Sequence, residues 1–242
     1  MSHPFTRANR IAEPHFRWRA EEMTRMEAFS DAVFAFAVTL LVVALEVPHN
    51  FDELKHVMSG FYGFAASFAL LIVIWHNHVK FLRRYGLQNA WAVFLNTALL
   101  FIVLFYVYPL KFLFSLILTT HQDGMIAVAQ IPTLMIIYGL GYASVFLVLS
   151  LMYVHAWRLR KVLELNEAEM YVTRRSLIDN LAMVGFGLLC ALLAWILPPH
   201  RAGLAGFIFG LIGVYFTIAG RVMGTRQRQI YERTHKSAAA SH

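Results

Sequence analysis

The chain alternates between long apolar windows and short polar stretches, and this pattern predicts its architecture. Six windows are poor in charged side chains, and they cover residues 25–47, 55–82, 88–115, 124–157, 177–198 and 202–223. A helix needs about 20 mainly apolar residues to cross a hydrocarbon core of about 30 Å. Each window reaches that length, so the sequence predicts an all-α, polytopic membrane protein with six transmembrane helices in one unit.

Composition narrows the class of protein further. Of the 242 residues 59% are hydrophobic, and the mean hydropathy is +0.57, which is more apolar side chain than a soluble domain of this size buries. The single cysteine, Cys190, excludes a disulfide framework. The sequence offers no nucleophile–base pair and no metal-ligand cluster, since His76 and His78 splay apart on a helix. We therefore expect no enzyme, no catalytic residue, no metal site and no cofactor.

The positive charges predict the topology. Of the 21 Lys and Arg residues, 18 fall in the N-terminal segment, at the end of the second window, after the fourth window and in the C-terminal tail. These regions lie on one side of a six-span protein, and cationic loops stay in the cytoplasm. We predict a cytoplasmic segment 1–24, a transmembrane domain 25–223 and a cytoplasmic tail 224–242. The net charge of +7 is then a topology signal, and we expect a lipid bilayer and no nucleic acid as partner.

The first window opens with charged residues at the lipid boundary. Thr24 followed by Glu27 fits a capping box, so the helix is predicted to begin there. Arg25 and Asp31 are six positions apart, which is about 240° of helical rotation, so they cannot pair on one face. Each needs a partner on another helix, and ionisable residues at such depth are functional candidates.

A polar cluster is predicted where the first three helices reach the same depth. The second helix runs back towards the cytoplasm and the third starts there, which matches the levels of five polar residues: Ser30, Asp31, Asn77, His78 and Asn96. Such groups satisfy one another inside a helix bundle. We favour this structural role over direct handling of ions or protons.

The motif Arg25, Phe29, Ser30, Asp31 resembles the signature of the lysosomal potassium channel family, the transmembrane protein 175 family, in its bacterial branch. The resemblance extends to Asn77 and His78 at the end of the second window, and to Asn96 in the third. It implies a potassium-permeable, weakly selective cation channel without the Thr-Val-Gly-Tyr-Gly filter, in a bacterial inner membrane. The permeant ions would be potassium and other monovalent cations. One six-span repeat implies a homotetramer with the first helix lining the pore.

Phe36, Leu40 and Val43 form an apolar stripe on the first helix, at positions i, i+4 and i+7. From pattern alone, packing against neighbouring helices is the commoner use of such a stripe. The resemblance instead places an apolar pore constriction here, with Thr39 as a candidate selectivity residue beside it. Phe36 and Val43 depart from the Ile and Leu usual in the family.

A proton channel or a proton-coupled carrier that uses Asp31 and His78 is the alternative function. A carrier is expected to show internal repeats or paired broken helices, and the sequence shows neither.

Three local features of the chain are also expected from the sequence. We expect a loosely ordered segment 2–19 and a kink or a non-helical exit at Pro109. We also expect a close-packing glycine seam in the last window, for a contact between helices or between subunits, formed by Gly203, Gly206, Gly210 and Gly213.

Overall fold

The computed structural model describes residues 16–20, 22–43, 49–52, 55, 58, 61–118, 128–217 and 219, and this part of the chain contains no β-strand. Five α-helices have the bounds α1 Arg25–Val43, α2 Phe61–Tyr85, α3 Ala90–Leu118, α4 Ile131–Arg158 and α5 Glu167–Ile196. A 3₁₀ turn, Val128–Gln130, precedes α4. A 3₁₀ segment, Ala202–Gly210, follows α5 and continues as α-helix to Thr217.

Four of the described helical segments are long and apolar enough to cross a membrane. They are Phe64–Tyr85, Ala90–Leu110, Val128–Arg158 and Glu167–Ile196. The described part of α1 has 19 residues, about 28 Å at 1.5 Å per residue, and Ala202–Thr217 is a shorter apolar helix. The prediction of an all-helical membrane protein is therefore confirmed, whereas the count of six spans stays a prediction.

α5 begins before the apolar window that it contains. The window starts at residue 177, and α5 begins at Glu167 because Asn166 caps it. The Asn166 side chain accepts from the Glu169 backbone N–H at 2.8 Å, and the Glu169 carboxylate accepts from the Asn166 backbone N–H at 3.1 Å. This capping box lies outside the apolar window, so the first turns of α5 extend the helix beyond the apolar span.

α4 and α5 approach each other closely at two glycines. A Cβ added to Gly139 would lie 2.5 Å from the carbonyl oxygen of Gly187, and one added to Gly187 would lie 2.7 Å from that of Gly139. Two glycines therefore let these backbones touch, as in other membrane helix pairs. In the predicted seam, Gly203, Gly210 and Gly213 have nothing within 4 Å of such a Cβ, and Gly206 meets only the Met135 sulfur at 3.9 Å. The seam therefore makes no close helix contact inside the described chain, and its use between subunits stays a prediction.

The other two local expectations are only partly met. α3 runs through Pro109 to Leu118, so no non-helical exit occurs there, and the alternative, a kink at Pro109, stays a prediction. Membrane helices tolerate proline because neighbouring groups satisfy the freed backbone. The Tyr138 hydroxyl donates to the carbonyl oxygen of Pro109 itself, which ties α4 to α3 at this level. Residues 16–19 are not loosely ordered, because Phe16 is 6% exposed and packs against Tyr85. Residues 2–15 lie outside the described part of the chain.

Candidate functional site

The polar network of the first three helices centres on Asn96 of α3. Its Oδ1 lies 2.6 Å from Nε2 of His78 on α2, and its Nδ2 donates to Oγ of Ser30 on α1 at 3.1 Å. The Ser30 hydroxyl also contacts the Met26 carbonyl oxygen at 2.7 Å. Ser30 and His78 are fully buried, and Asn96 is 2% exposed. One amide thus joins three helices at a buried point.

The network fixes the protonation of His78. An amide oxygen only accepts, so Nε2 of His78 carries the proton towards Asn96. Nδ1 of His78 is buried and has no hydrogen-bond partner among the described residues. The ring of Phe34 lies 5.7 Å from the imidazole, so the remaining surroundings of His78 are partly aromatic.

The other predicted network residues lie apart from this triad. Asp31 is half-buried, and its Oδ1 accepts from the indole N–H of Trp75 at 2.8 Å. Asn77 is half-buried and forms no hydrogen bond with the described residues, while Arg25 is exposed and forms no ion pair with them. Phe29 is 63% exposed. The structure thus brings three of the five clustered residues together and gives Asp31 a different partner on α2.

The two faces of α1 differ in their surroundings. One face packs against α2 and α3 at three- and four-residue spacing, and its buried members are Glu27, Ser30, Phe34, Ala37 and Leu41. The opposite face is open, and its exposed members are Arg25, Ala28, Phe29, Ala32, Ala35, Phe36, Thr39 and Val42. A membrane helix leaves a face open towards lipid, another subunit or water.

The predicted stripe divides between these faces. Phe36 is 56% exposed on the open face, whereas Leu40 is half-buried and packs partly against the core. Thr39 is exposed, and its hydroxyl donates to the Ala35 carbonyl oxygen at 3.0 Å. The proton of Thr39 is thereby used within the helix, and its oxygen lone pairs are left to face outwards. The side chain of Val43 lies outside the described residues.

An ion pair at the start of α1 was missed by the sequence reasoning. The Thr24 hydroxyl accepts from the Glu27 backbone N–H at 3.0 Å, as an N-cap does. Glu27 does not complete the capping box, because its carboxylate accepts from Nε of Arg83 on α2 at 2.7 Å. Glu27 is 1% exposed, and a carboxylate this buried needs a cation. The burial of Glu27 is the signal that would have indicated this ion pair, and burial cannot be read from the sequence.

Known proteins resemble the chain over most of its length. The profile of a family described as "Endosomal/lysosomal potassium channel TMEM175" matches residues 25–106. A potassium channel of Marivirga tractuosa is 38% identical over 234 residues, which are 90% of this chain and 95% of the relative. A potassium channel of Chamaesiphon minutus is 29% identical over 145 residues, which cover 57% of this chain and 65% of the relative.

Two solved structures share the fold. A variant of the potassium channel MtTMEM175, bound to a Nanobody–MBP fusion protein, is 38% identical; the alignment covers 88% of this chain and 99% of that chain, with a TM-score of 0.76. A lysosomal potassium-selective channel TMEM175 homolog from Chamaesiphon minutus is 23% identical over 81% of this chain and 96% of that chain, with a TM-score of 0.57. The second likeness concerns the fold alone.

Proposed function

Because this chain belongs to the TMEM175 potassium channel family, we propose that it is a potassium-permeable, weakly selective cation leak channel. The observation that carries the proposal is the open face of α1, where Phe36 and Thr39 are exposed on a helix whose other face is buried. Relatives that match over nearly their full length are named potassium channels, which supports ion conduction and not enzymatic chemistry.

In the proposed pore the open face of α1 lines the ion path. Phe36, Leu40 and Val43 form an apolar constriction that offers no hydrogen bond to the hydration water of an ion. Such a ring raises the barrier by dewetting and does not coordinate the ion. Leu40 lies at the edge of the open face, half-buried against the core, so of these two described side chains Phe36 projects further towards the path.

Thr39 is the proposed source of the preference for potassium. Its hydroxyl proton is used by the Ala35 carbonyl oxygen, so the oxygen presents only lone pairs to the open side. Oxygen atoms of this kind replace part of the hydration shell of a cation. An apolar ring alone discriminates poorly between cations, which accounts for weak selectivity.

A homotetramer is the proposed assembly, since one open helix face cannot enclose a path. Four copies of α1 around an axis supply such a path, and closed cyclic symmetry is the rule for assemblies of identical chains. The exposed positions of Arg25 and Phe29 on the same face are available for contacts between subunits. We infer six spans, with both termini cytoplasmic, in the bacterial inner membrane, from the charge distribution.

The proton channel or proton-coupled carrier has less support. A relay between Asp31 and His78 needs the two groups in hydrogen-bond contact or joined by water. Asp31 instead accepts from Trp75, and His78 bonds to Asn96.

Current measurements on purified protein in planar bilayers test the proposed pore. We expect potassium current from the wild-type protein, and larger current from Phe36→Ala and Leu40→Ala, because each substitution widens or wets the ring. Phe207→Ala is the matched control: this ring is 77% exposed on the last described segment, whose main contacts are with α4 and α5. It should leave the current unchanged.

A loss of stability without a change in current would show that the pore is lined by other residues. If Phe36→Ala and Leu40→Ala leave the current unchanged and instead cost about 2–5 kcal/mol of stability, as truncations in a core do, the stripe is core. Potassium flux that is coupled stoichiometrically to protons would favour the carrier.

A further inference from the structure

Residues 16–20, called the strap below, lie across the C-terminal end of α2 and the N-terminal end of α5. The ring of Phe16 is 6% exposed and meets the ring of Tyr85 edge-on, with 5.5 Å between centroids. The guanidinium of Arg84 lies 5.1 Å from the centroid of the Phe16 ring, a distance typical of a cation–π contact. The strap is thus held by an aromatic anchor at its start.

Arg19 holds the strap to α5 and to the turn before it. Its two terminal nitrogens donate to the two carboxylate oxygens of Glu169, at 2.8 and 3.2 Å. Its Nε donates to the carbonyl oxygen of Leu163 at 2.9 Å. Glu169 is 2% exposed. A bidentate pair of this kind is stronger and more directional than a single contact.

The strap also meets α2 at the residue that holds α1. The backbone N–H groups of Arg19 and Ala20 both donate to the Arg83 carbonyl oxygen at 3.2 Å. The Arg83 side chain in turn pairs with Glu27 in the first turn of α1 at 2.7 Å, and its guanidinium lies 5.6 Å from the ring centroid of Trp18. One arginine therefore contacts both the strap and the helix to which the strap leads.

α2 and α5 remain joined without the strap. The Tyr85 hydroxyl and the Thr173 hydroxyl lie 2.7 Å apart, and Arg84 donates to the Ser176 hydroxyl at 3.0 Å. Loss of the Arg19 contacts therefore does not separate these helices. It releases the chain that enters α1, whose cap at Thr24 is four residues beyond Ala20.

We propose that the strap is a positioning element for α1: the contacts of Arg19 with Glu169 and Arg83 set where the first turn of α1 sits, and so set the open probability of the channel. α1 makes its main helix contacts with α2 and α3. The strap, which leads into α1, is what connects it to α5 and to the turn between α4 and α5. The effect on conduction rests on the proposed pore, whereas the effect on α1 itself does not.

Arg19→Gln tests the proposal, with Arg17→Gln as the matched control. Both variants remove one positive charge from the strap. Arg17 contacts Glu169 through its backbone N–H, at 3.0 Å, and this contact survives the substitution. Arg19→Lys keeps the charge but loses the bidentate geometry, so it should rescue the behaviour only in part.

Two measurements on the purified full chain separate the strap from the pore. Hydrogen exchange of the first turn of α1, residues 25–30, should become faster in Arg19→Gln and stay as in the wild type in Arg17→Gln. Single-channel recordings should show the open probability of Arg19→Gln changed by about threefold or more, within the range of long-range couplings in proteins, at an unchanged unit conductance.

Each result decides one point. Unchanged exchange in Arg19→Gln overturns the proposal, whether or not the channel conducts. Faster exchange with an unchanged open probability also overturns it, because the position of the first turn then has no effect on opening. A wild-type protein that carries no potassium current refutes the proposed function, and the exchange data still decide whether the strap positions α1.

Discussion

Removal of the Asn96 amide is expected to destabilise the bundle of α1, α2 and α3. Asn96→Ala deletes the acceptor of the His78 Nε2–H and the donor to the Ser30 hydroxyl, at 2.6 and 3.1 Å. Ser30 keeps its bond to the Met26 carbonyl oxygen. His78 is fully buried and loses its only described hydrogen bond, so the larger share of the cost falls on the imidazole.

The expected loss of stability in Asn96→Ala follows from two known energies. A buried donor left without a partner costs about 1–3 kcal/mol in soluble proteins. Hydrogen bonds between membrane helices contribute about 0.6 kcal/mol on average and about 1.7 at most, because the unfolded helices in the membrane find other partners. Two such bonds are lost, so we expect a decrease of about 1–3 kcal/mol in the free energy of unfolding. A decrease of 2 kcal/mol changes the folded-to-unfolded ratio about 30-fold.

The assay is unfolding in mixed micelles as the mole fraction of sodium dodecyl sulfate rises, followed by helical circular dichroism. Asn77→Ala is the matched control, since Asn77 has the same side chain, is half-buried and forms no hydrogen bond with the described residues. We expect it to change the free energy of unfolding by less than about 0.5 kcal/mol. In a second test, Asn96→Leu combined with His78→Phe should recover most of the loss, because apolar replacement of both partners removes the unmet donor.

Equal losses in Asn96→Ala and Asn77→Ala would refute this reasoning. So would a double variant that is less stable than either single variant, since the cost would then come from packing and not from an unmet hydrogen bond.

Three further predictions concern permeation, assembly and packing. Thr39→Val should lower the preference for potassium over sodium and leave conduction intact, because it removes the hydroxyl that the described open face of α1 places beside the proposed ring; the bi-ionic reversal potential measures this, and an unchanged potential contradicts it. Asp31→Asn and Arg25→Ala should reduce the yield of tetramer more than the current of the channels that still form; normal assembly with abolished current would make Asp31 a conduction residue. Gly139→Ala should lower the stability by about 1–3 kcal/mol, the usual cost of overpacking, because its Cβ would lie 2.5 Å from a backbone oxygen of α5. Gly185→Ala, with nothing within 4 Å, should not lower it, and equal losses would contradict the role of the α4–α5 contact.

Depth along the membrane normal made part of the site predictable. Ser30, His78 and Asn96 could be matched because rise per residue fixes their level on three helices, and the structure brings these three together. Rotation about each helix axis was not available from the sequence. Asp31 lies at the same level but projects towards Trp75. The direction in which a side chain projects is set by how the helices pack, so only the structure reveals it.

Contacts between distant parts of the chain were not predictable. Glu27 fitted a local capping box, but Arg83, which is 56 positions later, takes its carboxylate. The segment before α1 appeared polar and unstructured, but Phe16 and Arg19 have partners on helices that begin or end far away in sequence. Hydropathy ranks each segment by itself, and it has no access to such partners.

The two faces of α1 have an evolutionary consequence. A substitution at Ala37 or Leu41 meets neighbouring helices and is selected through folding, because these side chains are at most 2% exposed. A substitution at Phe36 or Thr39 removes little contact within its own chain, since both are exposed. In the proposed pore, variation on the open face is therefore filtered by what the pore lets through and not by whether the subunit folds. Conductance and ion preference in such a pore can then drift or adapt while the scaffold that carries them stays fixed.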